Sequence, residues 1–212
     1  MNDLADLVRE WHALLVRHTD SARAADVDAA GRTLLACWAQ PHRRYHDPAH
    51  LRGVLLAIDE LGFLAVDADA VRLAAWYHDA VYEGSSDDEE LSARMATDEL
   101  AALGVAADLV AEVARLIRMT VEHNPAPADT NGAVLSDADL AVLAVPRAEY
   151  QRNSANVRAE YGHVSDEDFR VGRARVIAKL LAAPALYRTD VARELWESAA
   201  RANLTAELAS LS

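Results

Sequence analysis

The chain predicts an all-α fold, a bundle of about nine or ten helices. Three observations carry that expectation. Apolar residues recur at i, i+3, i+4 and i+7 through most of the 212 residues, the stripe of a half-buried helix. No stretch sustains the period-two alternation of a half-buried strand. Alanine, the strongest helix former, occurs 45 times.

The first stripe runs through Leu4, Leu7, Val8, Trp11, Leu14 and Leu15. Val27, Leu34, Leu35 and Trp38 form the second, which stops before Pro41. Asp47-Pro48 reads as an N-cap followed by proline at the first helical position. The third helix it opens carries Leu51, Val54, Leu55, Ile58 and Leu61, and Gly62 ends it. Asp67 or Asp69 caps a fourth helix through Val71, Ala74, Ala75 and His78. After the turn Gly84-Ser85-Ser86-Asp87, Ser86 or Asp87 starts a fifth, to about Leu103, broken by Gly104. Val110, Val113, Ala114 and Ile117 mark a sixth, ending near Glu122-His123-Asn124-Pro125. Pro125 to Gly132 reads as the one clear loop. Ser136 or Asp137 then caps a short helix to about Ala144. Pro146 opens the next, to about His163. Asp166 starts another, to about Ala183, and Asp190 starts the last, with Leu195, Leu204, Leu208 and Leu211.

Composition bounds the function. Lys and Arg number 21 against 34 Asp and Glu, a net charge of −13. That balance argues against binding long nucleic acids or an anionic membrane, because phosphate backbones need a basic face. A small phosphorylated ligand needs only one local cation or metal. The single cysteine, Cys37, allows no intrachain disulfide and no cysteine-rich zinc site, and suggests a reducing, cytoplasmic setting. The acidic stretch Met1 to Asp6 lacks the features of a signal peptide. No uncharged apolar run approaches the ~18 residues a bilayer requires.

Eight histidines are present, most of them beside acids and near helix ends in the middle third. His78 follows Val71 by seven residues on the apolar stripe, with Asp79 about 100° further round. A buried aspartate is costly unless paired or bound to metal, and a metal between the two directions accepts both side chains. The other reading is a hydrogen-bonded core histidine beside a solvent-facing aspartate. In Arg44-Tyr45-His46-Asp47-Pro48-Ala49-His50, the cap puts His50 in the first helical turn and His46 just outside it. Imidazole is the commonest nitrogen ligand of divalent metals, so the two histidines either face a common ion or lie on the surface. Ser136-Asp137-Ala138-Asp139-Leu140 reads first as a helix start dressed with acids, as the macrodipole favours. Glu122-His123 puts a cation at a helix end. Arg43, Arg44, Arg118 and Arg173 are candidate phosphate clamps, because guanidinium forks suit phosphate; the plainer reading of each is a solvated arginine.

Taken in order, these pieces give His…His-Asp…Asp with a helix between each. That order resembles the HD-domain superfamily of metal-dependent phosphohydrolases. Tyr45-His46-x-x-x-His50 and Ala138-Asp139-Leu140 look like elements of its cyclic-nucleotide phosphodiesterase branch. A bacterial family of predicted HD phosphohydrolases of about this length is similar over more of the chain. It is matched by Arg44-Tyr45-His46, Trp76 to Tyr82, Glu89-Glu90-x-Ser92-Ala93, Asp137 to Leu140, Gly172-Arg173 and Ala200 to Leu204. The likeness spans roughly residues 38 to 208. It implies one HD-like helical domain over 1–212, with a metal-site core at about 38–145 and helices 146–212 packed on it.

The resemblance also implies roles. His50, His78, Asp79 and Asp139 become metal ligands, with Asp137 in reserve for Asp139. His46 corresponds to the proton donor to the leaving group, and His123 to a histidine that binds a second metal or phosphate. Asp47 stands where relatives usually have asparagine, and Glu122-His123 where many have two histidines, so one or two ions remain open. The ion expected is Mn, Fe, Co, Ni or Zn. Catalysis would then fall to His46 and Asp79, and substrate binding to Arg43, Arg44, His123 and Arg173. The alternative for His46 is a structural one, hydrogen-bonding an acid such as Asp79 or Asp137. The function expected is hydrolysis of a phosphoester of a nucleotide or other small metabolite through a metal-activated water. The alternative is a non-catalytic metal- or nucleotide-binding regulatory module on the same fold.

Overall fold

Helix caps decide where the elements begin. The computed structural model describes residues 3–20 and 23–211, so Met1, Asn2 and Ser212, the ends of the expected domain, lie outside them. The described residues form ten α-helices and no strand. They are α1 (Asp3–Leu15), α2 (Ala24–Trp38), α3 (Pro48–Leu61), α4 (Ala68–Tyr77), α5 (Asp88–Ala102), α6 (Ala107–Met119), α7 (Thr130–Leu140), α8 (Arg147–Glu160), α9 (Asp166–Ala182) and α10 (Asp190–Ser210). Short 3-10 turns follow α3 at Gly62–Leu64 and α7 at Ala141–Ala144. None of these helices is long and apolar enough to cross a membrane.

The bundle is organised around α4, which packs against α3, α5, α6 and α7. Its sequence is apolar nearly all round, and seven of its residues, Ala70, Val71, Leu73, Ala74, Ala75, Trp76 and Tyr77, are buried. A helix without a polar face belongs in a core, and its alanines let neighbours approach closely. Two tryptophans from the N-terminal hairpin complete the centre. Trp11 of α1 meets the Trp76 ring edge-on at 5.2 Å and donates its indole N–H to the Val27 carbonyl. Trp38 of α2 donates to the Trp76 carbonyl at 2.9 Å. Each buried indole thus satisfies its one polar group.

Asp47 caps α3 as expected, accepting from the Ala49 and His50 amides with Pro48 in the first turn. Asp67, not Asp69, caps α4, accepting from Ala70 N. Asp69 pairs with Arg17 and His18 of the α1 hairpin instead. The α5 start differs in detail: Asp87 makes no side-chain cap, and Asp88 turns back to accept from the Glu83 and Ser85 amides. Ser165 and Thr189 cap α9 and α10 one residue before the aspartates that were read as their starts. α8 stops at Glu160, short of His163.

The largest departure is α7, which begins at Thr130 rather than at Ser136 or Asp137. Asp129 caps it by accepting from Gly132 N, so Asn131 and Gly132 sit inside a helix that their turn chemistry disguised. A Cβ at Gly132 would collide with the Asp129 carboxylate and approach Pro125 to 2.9 Å, so only glycine lets the cap close. Ser136 and Asp137 are therefore helix-interior residues, both fully buried.

Candidate metal centre

Four helix ends converge on one point. His50 comes from the first turn of α3, and its ring is held there because Asp47 fixes the backbone of that turn. α4 ends at Tyr77, so His78 is its C-cap and Asp79 follows in a turn rather than on the helix. His123 follows the end of α6 at a left-handed φ of 47°, which swings its ring back inward. Asp139 lies in the last turn of α7.

One donor atom from each of His50, His78 and Asp139 lies within 4.8 Å of the other two. His50 Nε2 is 3.1 Å from Asp139 Oδ1, and His78 Nε2 is 3.6 Å from the same oxygen. Asp79 Oδ2 adjoins this group, 3.1 Å from His78 Nε2 and 3.8 Å from His50 Nε2. His123 Nε2 stands 3.3 Å from the other Asp139 oxygen. All four expected ligands are thus brought together, with His123 at the edge. Asp137 is not among them. Two residues back on α7 it points away, and its two oxygens accept from the Arg188 and Thr189 amides at 2.6 and 2.7 Å. The reserve ligand is a backbone clamp.

The donor set fits a cation. His78 Nδ1 lies 2.9 Å from the Ala75 carbonyl, which assigns the proton to that nitrogen. In the neutral ring that leaves Nε2 as a lone pair, and it is buried with no hydrogen-bond partner. It faces two carboxylates, which are acceptors too. Three acceptors pointed at one another repel unless a positive charge sits between them. Burial opposes charge on His78, yet with no ion between them Asp79 and Asp139 raise its pKa well above the usual range, so a proton and a cation compete for the same nitrogen. Burial likewise pushes both carboxyls up, and the His78 charge overrides it, holding Asp79 and Asp139 below the usual range. The charge preference a divalent ion would meet is built in, and the second nitrogen of His78 is oriented by a carbonyl as metal-bound imidazoles usually are.

His46 takes no part in this group. Its ring stacks on Tyr82 at 4.0 Å, and its Nδ1 is 2.7 Å from Glu160 Oε2. Glu160 Oε1 also accepts from the amides of Arg44, Tyr45 and His46 at 2.7, 2.7 and 3.0 Å. Burial raises this carboxyl, and the bonds to His46 and to those amides bring it down to about 2. Glu160 is the partner of His46 that the sequence does not reveal; the acids it offers for His46 are Asp79 and Asp137. One signal existed: an acid closing α8, where the helix dipole disfavours it.

The arginines separate. Arg43, expected to clamp phosphate, is buried and lines neither cavity near the site. Its guanidinium donates to the carbonyls of His46, Asp79 and Ala80, tying the two His-Asp turns together. Arg173 is paired with Glu207 through Nε and one terminal nitrogen, at 2.8 and 3.0 Å, and lines the neighbouring cavity with His46 rather than the cleft of His50 and Asp139. Arg118 pairs with Glu90 on the surface. Arg44 alone is exposed with its guanidinium unpaired, and it lines a cleft of about 390 Å³ with His50 and Asp139. Asp47, Glu60 and Glu149 line the same cleft.

No family model, no curated protein and no solved structure matches this chain.

Proposed function

We propose that the chain is a metal-dependent phosphohydrolase of HD type, cleaving a phosphoester of a nucleotide or another small phosphorylated metabolite. The observation that carries this reading is the orphaned lone pair of His78 Nε2, buried and aimed at Asp79 and Asp139 with His50 alongside. Mixed imidazole and carboxylate donors suit Mn, Fe, Co, Ni or Zn. A divalent ion there supplies Lewis acidity, which acidifies water and offsets charge on the phosphoryl group. His50, His78, Asp79 and Asp139 would hold it. Arg44 is the one unpaired cation on the cleft and would orient the phosphoryl oxygens. The three acids beside it disfavour further phosphates, so the reading is for a substrate carrying a single phosphoryl group. His46, aimed by Glu160, would turn its other nitrogen to the leaving oxygen and, in the imidazolium form, donate the proton from it.

A regulatory module would need the ligand residues but not an imidazole oriented by a buried carboxylate. The His46–Glu160 pair is what favours an enzyme. We infer a cytoplasmic setting from the single cysteine. The test is elemental analysis of the purified chain, then phosphate release from generic and nucleotide phosphoesters with each of the five metals. The reading expects at least one bound ion and turnover that chelation removes. Metal-replete protein with no turnover on any ester would favour the regulatory module.

A further inference from the structure

α8 and α9 bury little: Tyr150 is the one buried residue of α8, and Ile177 that of α9. Between them lies a cavity of about 530 Å³. Its walls include Tyr45, Tyr150, Tyr161, Phe169, Val157 and Val164. His46, Asn153, Ser154, Asp168 and Arg173 also line it; Arg173 and Ser154 are paired with Glu207 and Asp168 with Ser165, whereas the Asn153 amide makes no hydrogen bond to the described residues. An aromatic cavity with a few placed polar groups is the ordinary form of a small-molecule site.

The cavity adjoins the metal centre. Tyr45, Val142 and Asn153 line both it and the cleft that holds His50 and Asp139. His46 lines the α8–α9 side only. When a phosphoester is hydrolysed, water adds to phosphorus, the bond from phosphorus to the leaving oxygen breaks, and that oxygen takes a proton. A phosphoryl group at His50 and Asp139 with His46 as the proton source puts the departing alcohol on the α8–α9 side.

Gly172 supplies an independent observation. It sits inside α9, where glycine is unfavourable relative to alanine, and no φ constraint calls for it. A Cβ there would meet no atom within 4 Å. Gly172 is exposed and lines the cavity, so a large side chain at this position has open space to extend across the cavity mouth.

We propose that the α8–α9 cavity receives the leaving-group half of the substrate, an alcohol bearing an aromatic ring, which a bulky side chain at position 172 would exclude. The leaving-group assignment rests on the phosphoester reading; the preference for an aromatic ring does not. The full-length chain, stripped of metal, is titrated with 1-naphthol and followed by fluorescence. Wild type and Gly172→Ala should bind alike, and Gly172→Phe should bind at least about tenfold more weakly as its ring occupies the space. Val157→Phe, from the opposite wall, should lose binding similarly and guards against a Gly172→Phe chain that fails to fold. No naphthol binding by wild type, or undiminished binding in the folded phenylalanine variants, overturns the proposal. With metal added, 1-naphthyl phosphate should show a KM at least about tenfold below that of glycerol 2-phosphate, and Gly172→Phe should erase the difference. Equal KM values in the wild type overturn the leaving-group assignment. Failure of both esters to release phosphate refutes the phosphoester reading, and naphthol binding then decides the ring site alone.

Discussion

The dipeptide His-Asp occurs at 46–47 and at 78–79, and the two copies do opposite things. At 46–47 the chain is starting a helix. The free amides of α3 need an acceptor, so Asp47 is consumed as a cap and His46 is left outside the helix, over the cavity. At 78–79 the chain is leaving one. The His78 backbone and Nδ1 are tied to the Ala74 and Ala75 carbonyls, which fixes the ring inward, and Asp79 has no helix amides to serve. Its carboxylate is free to face the ring instead. Composition is identical in the two copies; position relative to a helix end assigns the chemistry. Arg43 then locks one turn to the other through their carbonyls.

The same contrast recurs within α7, and the sharpest way to break it is a paired substitution. Asp139→Ala should abolish stoichiometric metal while leaving helicity intact. Asp137→Ala should keep the metal but remove the acceptor of the Arg188 and Thr189 amides, costing roughly 1–3 kcal/mol in denaturant unfolding. If both variants lost metal equally, the division of labour between the two aspartates would be wrong.

His46→Ala should keep the metal and lower kcat by about 10²–10⁴-fold, less for nitrophenyl esters whose leaving group needs no proton. A loss uniform across leaving groups would instead make His46 a structural partner.

Glu160 gives a test in pH. Its carboxyl is held at about 2 in the folded chain, against about 4.3 for a free glutamate. A depressed folded value contributes stability above the unfolded value that is lost as pH falls. Wild type should therefore weaken as pH drops from about 4.3 towards 2, and Glu160→Gln should lack that part of the slope. Parallel curves for the two proteins would count against the His46–Glu160 contact.

Asp47→Ala should have the smallest effect, about 1 kcal/mol of stability, because it removes one cap and no ligand. Metal lost together with the cap would mean that Asp47 does more than hold the first turn of α3.

Helix existence and most boundaries were legible, because stripes such as Leu51, Val54, Leu55, Ile58 and Leu61 and caps such as Asp47 are local. The start of α7 was not, since Asn131 and Gly132 are turn residues by habit and only the Asp129 cap makes them helical. That error left Asp137 and Asp139 unresolved, because helix phase decides between them. The convergence of His50, His78, Asp79 and Asp139 was expected through resemblance rather than periodicity. Arg43 was misread because a guanidinium that suits phosphate suits carbonyls equally well. Glu160 lies 114 residues from His46, and no local pattern connects two residues at that distance.

The central claim is that the carboxylates and the orphaned His78 nitrogen form a divalent-metal site. Equilibrium dialysis of wild type and His78→Ala against zinc and manganese, with bound metal counted per chain, tests it most directly. The account predicts at least one tightly bound ion per wild-type chain and none in a folded His78→Ala. Metal-free wild type after saturating dialysis, or equal stoichiometry in the two proteins, would contradict it.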